Sequence, residues 1–152
     1  TFKCNEWLER NTGARKALLT TSGTHAIELS ALLLGIKAGD EVGLRGRIGG
    51  SKEPFVAGRA VFTLMGRELK ACNENPGDKC SRPWDYCCET KADILANSVT
   101  VQVVDAKGQI LKTDIKGRRG LKELTEIVVV GKVASADGKA VVVNATAVYP
   151  VQ

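Results

Sequence analysis

The side chains best suited to chemistry in this sequence are four cysteines within 17 residues: Cys72, Cys80, Cys87 and Cys88, spaced C-x7-C-x6-C-C. A fifth, Cys4, lies far from them. The odd total leaves at least one thiol unpaired. Three chemistries compete for the group of four. The preferred one is two disulfides, with Cys72 and Cys80 each bridging to Cys87 or Cys88. Such bonds tether a long irregular loop and contribute about 2–4 kcal/mol each. A Cys87–Cys88 bond is disfavoured, because adjacent residues fit disulfide geometry poorly. The second is a four-thiolate zinc site, although the paired C-x2-C spacing of zinc knuckles is absent. The third is redox or soft-metal chemistry at the vicinal pair. Trp84 and Tyr86 flank that pair and read as loop anchors packed on the neighbouring domain. His25 is the only histidine. A multi-histidine metal site is therefore excluded, and the side chain reads as a solvated one.

The elements that must position these residues differ along the chain. Residues 2–11 can form a short helix ended near Gly13. HAIELSALLLGI (25–36) reads as a strongly apolar helix, capped by Ser22 or Thr24, with Glu28 able to complete a capping box. A turn at Gly39-Asp40 then opens a different pattern. Alternating Val42, Leu44 and Ile48 predict a first strand, GRAVFTLM (58–65) a second, and SVTVQVV (98–104) a third. Asp105-Ala106-Lys107-Gly108 predicts a turn into a fourth, QILKT (109–113). EIVVVGKV (126–133) and KAVVVNATAVYPV (139–151) complete the series, with an irregular Cys-rich insertion at 71–90. The expected fold class is thus mainly β. It is a small OB-like barrel of five to six strands with a Cys-rich loop, preceded by a two-helix segment. Domain limits fall at 1–40 and 41–152. Closure of the barrel hides the edges that Val-rich strands would otherwise expose.

Composition narrows the function classes. The chain has 152 residues, 43% hydrophobic and 26% charged, which is a globular composition. Its net charge of +5 falls on residues 43–152, because residues 1–42 balance. Arg45, Arg47, Lys116, Arg118 and Arg119 are available to a polyanion. Aromatics are only 5%, so stacking of single-stranded nucleic acid is weakly supported. No apolar run is long enough to span a membrane as a helix. The chain begins at Thr1 without an initiator Met or a signal peptide, as a piece or processed product of a longer protein would.

Two resemblances follow from longer motifs. FKCNEWLERNTG with GARKALLTTSGTHAIELSALLLGIKAGDEV resembles the N-terminal region of DegT/DnrJ-type sugar-nucleotide aminotransferases, closest to the branch acting on 4-keto-6-deoxy sugars. The resemblance implies a pyridoxal-phosphate enzyme in which Ser22, Gly23 and Thr24 help hold the cofactor phosphate at a helix start. Backbone N–H groups and the helix dipole suit that role. The same residues also make an ordinary helix cap. The family's Schiff-base Lys, its pyridine-nitrogen Asp and its ring-stacking residue have no counterpart in 42–152. No activity is therefore expected, and pyridoxal phosphate enters only as the alternative cofactor. That reading makes the chain an inactive fragment of a cytoplasmic aminotransferase.

The second resemblance covers residues 42–151. GRIGG (46–50), PFV (54–56), GRAVFTL (58–64), PWDYCCE (83–89), VQVVDAKGQ and VVVNATAVY are similar to a family of small exported planctomycete-type bacterial proteins. It implies an OB-like barrel in an exported or periplasmic setting, with an unknown ligand. At 65–67 this chain has Met-Gly-Arg, where relatives tend to have an apolar residue and an Asp. The two pieces join near Gly39–Val42, where GDEV suits both, so the chain is expected to be chimeric. The apolar face around Leu29–Leu34 is expected to pack on the barrel or to drive self-association.

Overall fold

The structure is a computed structural model, and it describes residues 37–136 and 140–151. The two expected N-terminal helices, with Ser22, Gly23, Thr24 and His25, lie outside the described residues.

The described chain is mainly β. Five strands, β1 (Glu41–Ile48), β2 (Val61–Met65), β3 (Ser98–Val103), β4 (Glu126–Ala136) and β5 (Val141–Pro150), close into a ring in the order β1-β2-β3-β5-β4. All neighbours are antiparallel except β3 and β5, which run parallel from Val99↔Val141 to Val103↔Ala145. A parallel pair needs a crossover, and residues 104–136, with β4 inside them, supply it. The long strand β1 pairs with β4 over seven positions but with β2 only at Arg47↔Met65 and Ile48↔Leu64.

Alternation in sequence becomes inside and outside in the barrel. Leu44 and Ile48 of β1, Phe62 and Leu64 of β2, and Val99 and Val101 of β3 point inward. They meet Ile127, Val129 and Val133 of β4 and Val143 and Ala145 of β5. Ile115 and Leu121, from the β3–β4 connection, join the same core. Gly131 marks a β-bulge against β5. A Cβ there would lie 2.2 Å from the Asn144 carbonyl oxygen, so only glycine admits the approach.

Two expectations are corrected. The predicted strand at 109–113 does not form. The Asp105 turn does: Asp105 Oδ1 accepts from the N–H groups of Lys107 (2.8 Å) and Gln109 (2.9 Å), and Gly108 has φ +75°. Beyond it only a single bridge, Val104↔Ile110, is made. Both edges of β3 are already taken by β2 and β5, so a hairpin there has no sheet to extend. The Cys-rich insertion is also less irregular than expected. It contains short 3-10 turns at Cys72–Glu74 and Pro83–Asp85, followed by a helix α1 (Lys91–Ala96). Thr90 caps α1, its Oγ1 accepting from the Asp93 N–H. No helix among the described residues is long and apolar enough to cross a membrane.

Candidate functional site

The long connection between β2 and β3 carries the chemistry, and the barrel holds it through a small second core. Met65, Ala71 and Tyr86 are buried together, with Leu69, Ile94 and Leu124 packed against them. Tyr86 is the largest fully buried side chain described, set in the left-handed region at φ 55°. A bulky residue adopts that conformation only where surrounding contacts hold it. Trp84 anchors the other side: its Nε1 donates to the Lys52 carbonyl (3.2 Å), and its own carbonyl accepts from the Gly50 N–H (2.8 Å). The expected anchoring by both aromatics is what the packing shows.

This docking explains the GRIGG run. A Cβ on Gly46 would lie 2.3 Å from the Met65 carbonyl oxygen. One on Gly49 would lie 2.7 Å from the Trp84 carbonyl oxygen and 2.9 Å from the Tyr86 ring. Gly50 adopts φ +89° beside the Met65 sulfur. Gly46 and Gly50 thus let β2 close on β1, and Gly49 lets the loop backbone lie on the end of β1. Arg47 adds a polar tie, its Nη1 lying 2.5 Å from Glu74 Oε2, while the same oxygen accepts from the Ala71 N–H at 2.8 Å. The hydrogen bond to Arg47 holds the Glu74 carboxyl below its ordinary range, and Glu74 in turn raises Arg47.

Folding brings all four clustered cysteines together. Cys72 is buried at the loop's base, Cys80 is half-buried, and Cys87 and Cys88 are exposed. Cys87 Sγ lies 3.6 Å from both Cys72 Sγ and Cys80 Sγ, beyond the 2.03–2.05 Å of a disulfide. The expected disulfide pairs therefore do not appear at bonding distance. The donor atoms of Cys72, Cys80, Asp85 and Cys87 all lie within 4.8 Å of one another. Those of Cys72, Asp78 and Cys88 form a second such group sharing Cys72.

Two aspartates shape the loop around the sulfurs. Asp78 Oδ1 accepts from the Cys80 N–H (2.7 Å), and its Oδ2 accepts from the Cys88 thiol (3.1 Å). Asp85 Oδ1 accepts from the Cys87 N–H (3.1 Å). The thiols are thereby differentiated. Burial works to raise Cys72, but hydrogen bonds from the backbone and side chains of Cys88 and Cys87 outweigh it and hold this thiol below its ordinary range. Cys87 moves the other way because it shares its proton with Cys72 and Cys80. The hydrogen bond to Asp78 pushes Cys88 up to about 11.

The basic residues offered to a polyanion form no open stripe. Arg45 pairs with Glu126 (2.6 Å), Arg47 with Glu74, and Lys116 with Glu123. Arg118 donates to the Thr113 hydroxyl (2.9 Å), and Arg119 occupies a left-handed position in the adjacent 3-10 turn. The acidic partners of Arg45, Arg47 and Lys116 are invisible to local pattern, because each is remote in sequence or lies across a turn.

No protein-family model matches the chain, and no solved structure matches it significantly.

Proposed function

We propose that residues 41–152 act as a non-catalytic, OB-like binding or structural module of an exported bacterial protein. The working end of this module is the one that carries the cysteine loop. The observation that carries the reading is the strand order β1-β2-β3-β5-β4 with its parallel β3–β5 closure, which is the Greek-key order of OB-type barrels. Such barrels bind extended ligands with the β2–β3 face and the β1–β2 and β4–β5 loops. Here the β1–β2 loop meets the cysteine loop through Gly50, Lys52 and Trp84, which favours that end. The resemblance of residues 42–151 to exported proteins supports the compartment. The ion pairs of Arg45, Arg47 and Lys116 count against nucleic acid and towards a less charged ligand such as an oligosaccharide.

Titration of isotope-labelled protein with an oligosaccharide panel, and with a single-stranded oligonucleotide at low salt, tests the reading. Amide shifts should cluster in 49–60 and 71–90. Shifts confined to the outer face of β4 and β5 would overturn it. A stable lysine adduct with pyridoxal phosphate that supports transamination would overturn the non-catalytic part. It would restore the aminotransferase-fragment alternative, in which Ser22, Gly23 and Thr24 hold the cofactor phosphate.

A further inference from the structure

We infer that Cys72, Cys80, Cys87 and Asp85 form a binding site for a soft divalent metal ion of the zinc type. This inference is independent of the ligand proposed for the barrel. It begins with sulfur geometry. Four donors around zinc at a metal–sulfur distance of about 2.3 Å stand about 3.8 Å apart along each tetrahedral edge. Cys87 Sγ stands 3.6 Å from two other sulfurs at once. A Cys80–Cys87 disulfide would take one of these contacts and leave Cys72 to Cys88, whereas a metal uses Cys72, Cys80 and Cys87 together. The fourth corner is filled by a carboxylate, since the donor atoms of Cys72, Cys80, Asp85 and Cys87 are mutually within 4.8 Å. Three sulfurs and one oxygen suit zinc, and the thiolate majority disfavours magnesium and calcium.

The surroundings have the features of a prepared site. Cys72 enters from the buried base and Cys80 from the half-buried middle of the loop, while Cys87 follows the buried Tyr86. The ligands thus come from three separate stretches, each fixed to the barrel or to its neighbour. Asp85 is oriented by the Cys87 N–H, and Asp78 by the Cys80 N–H. These contacts set the donors before any ion arrives. Cys88 stays outside the set, because its thiol donates to Asp78. Each coordinating thiol releases its proton to solvent when the metal binds, and no electron is transferred. An ion at this position would tie 72–87 into one unit, which is the role the sequence otherwise leaves to disulfides.

Cobalt(II) titration of the full, reduced chain tests this. A single equivalent should produce thiolate-to-cobalt charge-transfer absorption and the strong visible bands of a tetrahedral site, and zinc should abolish both. Cys4→Ser and Cys88→Ser should keep the spectrum. Cys80→Ser and Cys87→Ser should lower the affinity at least about tenfold. Cys72 is buried, and its replacement risks unfolding, so the two exposed-side variants decide, with circular dichroism confirming an intact barrel. Absence of the cobalt bands in the reduced wild type would overturn the inference. So would their survival in both Cys80→Ser and Cys87→Ser, their loss in Cys88→Ser, or two disulfides among these four residues in the native protein.

Discussion

Tyr86 offers the most demanding test of how the loop is held, because its ring and its hydroxyl make opposite predictions. The ring is fully buried between Met65, Ala71 and the Gly49 backbone. Truncating a buried aromatic to Ala costs about 3–5 kcal/mol, counting lost transfer energy and the cavity left behind. The hydroxyl is different: it is buried and makes no hydrogen bond among the described residues. A buried polar group without a partner costs about 1–3 kcal/mol, so its removal should recover part of that. Tyr86→Ala should therefore lower stability by about 3–5 kcal/mol. Tyr86→Phe should leave it unchanged or raise it by up to about 1 kcal/mol. For a domain of about 110 residues each kcal/mol moves Tm by about 4 °C. The assay is urea denaturation under reducing conditions in a Trp7→Phe background, with Trp84 emission reporting the loop and far-ultraviolet circular dichroism the barrel. The two probes should give one coincident transition. A loss above about 1 kcal/mol in Tyr86→Phe would show that the hydroxyl has a partner, refuting the reasoning. So would a cost in Tyr86→Ala below about 1 kcal/mol, because the loop would then not share the barrel's core.

Two glycines and one ion pair extend the test. Gly49→Ala should cost about 1–3 kcal/mol, since the new methyl group meets the Trp84 carbonyl and the Tyr86 ring below 3.0 Å. Gly43→Ala, which meets nothing within 4 Å, should stay within about 0.5 kcal/mol in the same urea titration. Glu74→Gln should cost about 1 kcal/mol or less at neutral pH, because the Arg47–Glu74 pair is partly exposed to solvent. Glu74 titrates below its unfolded value, so its contribution is complete above that value and disappears as pH falls through the folded one. The stability gap between wild type and Glu74→Gln should close in acid; a gap that persists there would show that the pair is not its source.

Much of the barrel was legible because its strands obey a two-residue period. Leu44 and Ile48, or Val99 and Val101, announce an inward face without reference to anything distant. The fourth predicted strand failed for a reason local pattern cannot express: QILKT has strand character, but β3 has no free edge to receive it. Helix α1 has a local signal, since Thr90 followed three residues later by Asp93 is a capping pattern. The cysteines were legible as a group but not in geometry. Spacing C-x7-C-x6-C-C does not say that Cys87 would stand equidistant from two sulfurs, because that depends on Tyr86 turning through a left-handed conformation. The GRIGG glycines are visible as a motif, yet their causes are distant contacts, Met65 for Gly46 and Gly50 and the Trp84–Tyr86 segment for Gly49, beyond the reach of local reasoning.

The account rests on the barrel holding the cysteine loop as part of one folded unit, and amide hydrogen exchange at Gly50 tests this most directly. Its N–H donates to the Trp84 carbonyl at 2.8 Å, joining the end of β1 to the loop. If the loop is an integral part of the fold, this amide should exchange only by global unfolding, at the rate of core amides such as that of Val129. Exchange at the rate of an open loop, with the core still protected, would contradict the account.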